Sequence, residues 1–115
     1  MADQVEIQIP KPRLNEGSAF PATAYFRTRS TKAASTPTTV QYRVDCLTTG
    51  KQITDWTTVS AASSVSLTMT AAMNAIQNDA NTRERKQLTV RADNGLATQV
   101  IGQGLWLVEN IYGVR

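Results

Sequence analysis

Apolar residues recur at every second position along most of the chain, which is the repeat of strands with one face on a core. Val5, Ile7 and Ile9 alternate with Glu6 and Gln8, and Pro10 and Pro12, which cannot donate to a strand ladder, close the run. Asn15-Glu16-Gly17 has the residues of a turn. Over residues 18–27, Phe20, Ala22, Ala24 and Phe26 share one face, and Pro21 marks an edge or bulge at the start. Residues 28–37, rich in Ser, Thr, Ala and Lys, read as an exposed loop. Val40, Tyr42, Val44 and Cys46 then alternate with Gln41, Arg43 and Asp45, and a turn at Thr48-Thr49-Gly50-Lys51 leads back into a strand over residues 52–59. Ile53 and Trp56 differ in parity there, and a bulge near Asp55 would reconcile them.

Val65, Leu67 and Met69 form another alternating run. The pattern breaks at residues 71–77, where Thr70 could cap a helical turn presenting Met73 and Ile76; a short helix or a buried crossover is expected. Leu88, Val90 and Ala92 define the next strand, Asp93-Asn94-Gly95 a tight turn, and residues 98–109 the last strand. About seven strands at a spacing of roughly 8–12 residues predict an all-β, antiparallel, two-sheet sandwich. Residues 1–115 are expected to form one domain, with an extended N-terminal arm over about 1–14 and a short tail over about 111–115.

Composition agrees with that reading. The charged fraction is only 18%, so Thr, Ser, Asn and Gln must cover much of the surface, and β-branched Thr tolerates an exposed strand face. The net charge of +3 is spread along the chain without the aromatic clustering or motif of a nucleic-acid binder, so no specific nucleic-acid partner is expected. The one cysteine, Cys46, forms no intrachain disulfide and lies on the apolar face of its strand, where an inert buried thiol is expected. No apolar leader or membrane-length stretch occurs, which leads to the expectation of folding in a reducing cytoplasm with no membrane partner.

The chain offers little for catalysis. It has no histidine, which removes Ser-His-Asp and Cys-His systems and the common histidine-bearing zinc sites. Gly102-Gln103-Gly104 fails as a nucleotide loop because Leu107 stands where a third glycine belongs; glycines within a strand instead mark a bulge or the close approach of another segment. Asp79 with Asn78 and Asn81 lacks the spacing and distal Glu of a calcium loop. The nine acids are not paired by the sequence. The expectation is no enzyme, no cofactor and no metal.

Binding features remain. Arg83-Glu84-Arg85-Lys86 is the densest charge run, read either as solvated charges at the start of a strand or as a contact with an acidic neighbour. Leu105-Trp106-Leu107-Val108 is apolar on both faces, so its outer side needs a cover, from the N-terminal segment or from another chain. Trp56 and Trp106 are expected in the core, with an interface role as the alternative. Lys11, Arg13, Arg83, Arg85, Lys86, Trp106, Tyr112 and Arg115 are the candidate interface residues.

The segments Val40-Gln41-Tyr42-Arg43-Val44-Asp45-Cys46, Ile53-Thr54-Asp55-Trp56 and Leu88-Thr89-Val90-Arg91-Ala92 together resemble a fibronectin type III or immunoglobulin-like sandwich, without the paired cysteines and tryptophan placement of antibody domains. The whole chain, cysteine-poor, Thr/Ala-rich and with a proline-bearing N-terminal segment, is similar to small structural proteins of tailed bacteriophages. That resemblance implies a virion structural protein assembled in the host cytoplasm, foremost a capsid decoration or cement subunit, homo-oligomeric in the assembly and contacting other virion proteins. The rival expectations are a tail or baseplate module binding a fibre or host carbohydrate, and a cytoplasmic protein-binding domain.

Overall fold

The computed structural model describes residues 3–111. Of the tail expected over 111–115, residues 112–115, including Tyr112 and Arg115, lie outside the described residues.

Eight strands follow in the order β1 (Gln4–Gln8), β2 (Arg13–Asn15), β3 (Phe20–Arg27), β4 (Val40–Cys46), β5 (Lys51–Val59), β6 (Ser64–Met69), β7 (Arg83–Ala92) and β8 (Val100–Glu109). They form a three-stranded sheet, β1-β3-β6, and a five-stranded sheet, β2-β8-β7-β4-β5. The core lies between them. Phe20, Ala22, Ala24 and Phe26 of β3 and Val65, Leu67 and Met69 of β6 meet Val40 and Val44 of β4, Leu88, Val90 and Ala92 of β7, and Trp106 and Val108 of β8. The Phe20 ring stands edge-on to Trp106, with centroids 5.2 Å apart. Each large apolar side chain so enclosed contributes roughly 1.5–3 kcal/mol, so this layer, rather than any one polar contact, carries most of the stability.

Two sequence expectations need correction, and a third is narrowed. The strands number eight, because Arg13–Asn15 adds a short one whose single apolar residue, Leu14, gave no alternation to read. The sheets are not wholly antiparallel, since β2 runs parallel to β8, pairing Arg13 with Leu107 and Asn15 with Glu109. Of the short helix and the crossover expected over residues 71–77, the structure has the crossover. Thr70 does cap, its hydroxyl accepting the Met73 N–H at 3.2 Å, and Asn74 closes one turn onto Thr70. The turn goes no further because the Gln77 and Asn78 N–H groups donate to the Glu84 carboxylate, at 2.7 and 2.9 Å, instead of to earlier carbonyls. The segment is a crossover from β6 in the smaller sheet to β7 in the larger.

Glu84 is the hub of a buried polar cluster. Its carboxylate also accepts from Asn81 Nδ2 at 2.9 Å and from Lys86 Nζ at 3.0 Å, and Lys86 Nζ donates to the Ala75 carbonyl at 2.9 Å. Both side chains are fully enclosed. Burial alone would raise the Glu84 pKa; the donors from Gln77, Asn81, Asn78 and Lys86 together outweigh it and hold the carboxyl below its ordinary range. Asp93 does similar work at the other end of β7. Burial pushes its pKa up, but the Thr98 hydroxyl and the Thr39 and Thr38 N–H groups lower it overall. Asp93 itself sits at φ 55° and Gly95 at φ 82°, opening a loop over residues 93–99 that is longer than the expected tight turn.

The glycines of β8 face inward beneath β1. A Cβ on Gly102 would stand 2.6 Å from a Val5 methyl carbon, and one on Gly104 would stand 2.8 Å from Ile7 Cγ2 and 2.9 Å from Ile9 Cδ1. β1 therefore packs directly on the backbone of β8, as the glycines inside that strand suggested. Residues 4–8 are paired along their length with β3, so together with β2 much of the expected arm lies within the body of the sandwich.

Candidate functional site

The outer face of the five-stranded sheet is where the described residues depart most from a plain solvated surface. Alternation brings Gln41, Arg43 and Asp45 of β4, Arg83, Arg85 and Arg91 of β7, and Ile101, Leu105, Leu107 and Glu109 of β8 to this side. Two regions result.

The first is an arginine–tryptophan stack across β5, β4 and β7. Register shifts between Tyr42 and Asp45 insert extra residues into β5, and Asp55 turns back to accept the Trp56 N–H at 2.7 Å. The expected bulge near Asp55 is thus present. It does not reconcile the two residues: Ile53 packs on the core, whereas Trp56, three positions before core-packed Val59 in a stretch of unbroken register, faces outward, against the expectation that Trp56 is a core residue. The Arg91 guanidinium lies 3.7 Å from the Trp56 ring centroid and that of Arg43 lies 5.7 Å away, both within cation–π range. Polar partners fix these arginines. Arg91 Nε donates to Gln41 Oε1 at 2.8 Å, and Arg43 makes two bonds to Asp45, at 3.0 and 2.7 Å. The hydrogen bonds to Asp45 raise the Arg43 pKa, so this guanidinium stays charged. The stack is thus internally satisfied and rigid.

The second region is less satisfied. Leu105 is 46% exposed, Leu47 45% and Ile101 53%, well above what a core-facing residue shows. Two adjoining hollows lie among them. One, of about 400 Å³, is lined by Leu47, Thr48, Arg83, Arg85 and Leu107. The other, of about 280 Å³, is lined by Pro12, Arg85, Leu105, Trp106 and Leu107. Arg85 borders both, and its guanidinium makes no ion pair among the described residues. Arg13 and Arg83 share a single acid, Glu109, at 3.4 and 3.9 Å. This end of the face therefore carries an excess of positive charge around exposed leucines.

The sequence-derived candidates divide accordingly. Arg13, Arg83 and Arg85 come together on the outer face, and Lys11 is exposed on the link between β1 and β2. Lys86 does not join them: it is fully enclosed and bound to Glu84, so the charge run is split by strand parity into an outer Arg83/Arg85 pair and an inner Glu84/Lys86 pair. Trp106 is likewise a core residue, 2% exposed, its indole held by Asn74. Sequence reasoning missed Leu47 and Arg91 as parts of this surface and had Trp56 there only as the alternative to a core position. The signal for Lys86 was available, because stepping back by twos from Leu88 puts positions 86 and 84 inside.

Among the described residues no three His, Cys, Asp or Glu side chains converge as metal ligands, and no helix is long and apolar enough to cross a membrane. Cys46 is buried beside Glu84. Comparison with protein-family models, with curated proteins and with solved structures finds no match to this chain.

Proposed function

We propose that this protein is a non-enzymatic adhesion subunit that docks onto a larger protein assembly through the outer face of its five-stranded sheet. The single observation that carries this reading is the cluster of Leu47, Leu105 and Leu107 around the unpaired Arg85. Exposed apolar residues gathered in one place and rimmed by charge are the usual mark of an interaction surface. The Arg43–Trp56–Arg91 stack lies farther along the same face, its arginines already held by Asp45 and Gln41.

The setting we propose is a virion, with the protein as a capsid decoration subunit contacting other virion proteins, on the strength of the sequence resemblance. Kinship with immunoglobulin-like sandwiches belongs to the same proposal, although a three-plus-five split with a parallel β2 departs from that scheme. With residues 4–8 and 13–15 engaged in strands, adhesion rests on the sheet face rather than on an extended arm. On a symmetric shell many such contacts of modest strength act together.

Gradient-purified particles test this reading. The protein should co-purify at a copy number tracking the capsid subunits, and a double variant, Arg85→Glu with Leu105→Lys, should be lost from the particle while remaining folded. A copy number fixed to the tail would favour the tail-module alternative, and absence from particles would end the proposal.

A further inference from the structure

The last strand of the larger sheet has an open edge. Leu107 N–H donates to the Pro12 carbonyl, so the odd-numbered residues of β8 point their main-chain groups away from β7, toward β2. β2 occupies that side only opposite residues 107–109. Ile101, Gln103 and Leu105 present the same groups farther along, and among the described residues no strand pairs with them there.

The other edges are blunted in ways this one is not. β5 carries two register shifts and begins at Lys51. β1 is five residues long, and its Glu6 is paired with Arg27. β6 is six residues long, with Ser64, Ser66 and Thr68 on its exposed face. By contrast, β8 keeps unbroken register over ten residues, and Ile101 and Leu105 on its outer face are exposed and apolar. A long, regular, apolar edge is a template for another strand. The hollow bounded by Pro12, Arg85, Leu105 and Leu107 lies at the Arg13 end of β2, where that strand begins, and Arg85, without an ion pair among the described residues, makes that place positive.

We propose that residues 101–105 of β8 accept an extended acidic segment of a partner protein as an added strand, continuing the track that β2 begins. The main-chain groups of Ile101, Gln103 and Leu105 would supply the hydrogen bonds; alternate apolar side chains would cover Leu105 and Leu107; and a carboxylate would meet Arg85. This goes beyond the adhesive reading, because it names an edge and a partner chemistry that would hold in any setting.

The test uses the full chain, isotope-labelled, titrated with a synthetic peptide of about ten residues in which valines alternate with threonines and glutamates. Amide exchange at Ile101, Gln103 and Leu105 should slow by about tenfold or more at saturation, with the β5 and β6 edges unchanged. A peptide with lysines in place of the glutamates, and an Arg85→Glu protein, should each bind about tenfold more weakly or worse. Gln103→Pro removes a donor on the open side without touching the β7 ladder and should abolish binding; if that variant does not fold, Arg85→Glu and Ile101→Lys decide the matter. No titration up to about 1 mM peptide, binding that leaves those three amides unprotected, or protection at another edge overturns the proposal. So does equal binding of a short single-stranded RNA that the peptide displaces, since the surface would then recognise polyanions.

Discussion

The indole N–H of Trp106 donates to the side-chain oxygen of Asn74 at 2.7 Å, and both side chains are buried. Asn74 also donates through Nδ2 to the Ser18 carbonyl at 2.7 Å, and its own carbonyl accepts from Gly17 N–H at 3.0 Å. One amide therefore ties the β6–β7 crossover to the core tryptophan of β8 and to the turn before β3. Asn74→Ala would leave the indole N–H and the Ser18 carbonyl without partners. Each orphaned group costs about 1–3 kcal/mol, so a loss of roughly 2–6 kcal/mol is expected in urea unfolding, larger than the about 1 kcal/mol expected when Thr70→Ala removes the exposed cap of the same turn.

The two tryptophans should respond in opposite ways. Trp106 fills the core, and Trp106→Ala is expected to cost about 3–5 kcal/mol. Trp56 lies on the outer face beneath Arg91, so Trp56→Ala should cost only about 1 kcal/mol, the order of a partly exposed cation–π contact. Equilibrium unfolding of both variants checks this, and equal losses would mean that Trp56 is a core residue after all.

The buried pair in β7 makes an asymmetric prediction. Glu84→Gln leaves the Lys86 ammonium enclosed without its counter-charge and sets an amide NH2 against either the Gln77 or the Asn78 N–H group, which donate to different oxygens of Glu84, so a loss of about 3–5 kcal/mol is expected. Lys86→Met leaves Glu84 with three N–H donors and should cost less. Thermal melts of the two variants give the ranking directly.

The same group sets a pH dependence. The folded-state pKa values of Glu84 and Asp93 lie below their ordinary values, so between the folded and unfolded pKa values the unfolded chain binds more protons. Their stabilisation is complete above the unfolded values, near about 4 for such carboxyls, and is lost as the pH falls through the folded ones. Melting temperature should therefore drop below about pH 5, and the drop should be shallower for Glu84→Gln.

Close packing of β1 on β8 gives a steric prediction. The carbon added by Gly104→Ala falls within 3.0 Å of both Ile7 and Ile9, and branched side chains there have little room to move. A cost of about 1–3 kcal/mol is expected, with β1 loosened, visible as faster amide exchange over residues 4–8.

Much of this architecture is legible in the alternation. The runs at 40–46, 64–69 and 88–92 place their apolar sets on the core, and the pairing of β4 with β5 follows from the turn between them. What escapes depends on contacts that no local pattern encodes. β2 is held by pairing with a strand some ninety positions later, around one buried leucine. The turn at 71–77 is ended by Glu84, a distant acid that draws its N–H groups away. Trp56 faces outward because it stands three positions from core-packed Val59 in unbroken register, and the apolar spacing alone does not say which of Ile53 and Trp56 the core takes. On the surface, the run Arg83-Glu84-Arg85-Lys86 is plain as a cluster of charge, and its division between the two faces follows only from the parity set by Leu88 and Val90.

The docking face is tested most directly by comparing hydrogen–deuterium exchange of the free protein with that of the protein bound to purified particles. Slower exchange on particles should concentrate in residues 83–91 and 100–109, with the Leu47 turn, while β3 and β6 change little. Protection confined to the three-stranded sheet, with β7 and β8 unaltered, would contradict the assignment of that face.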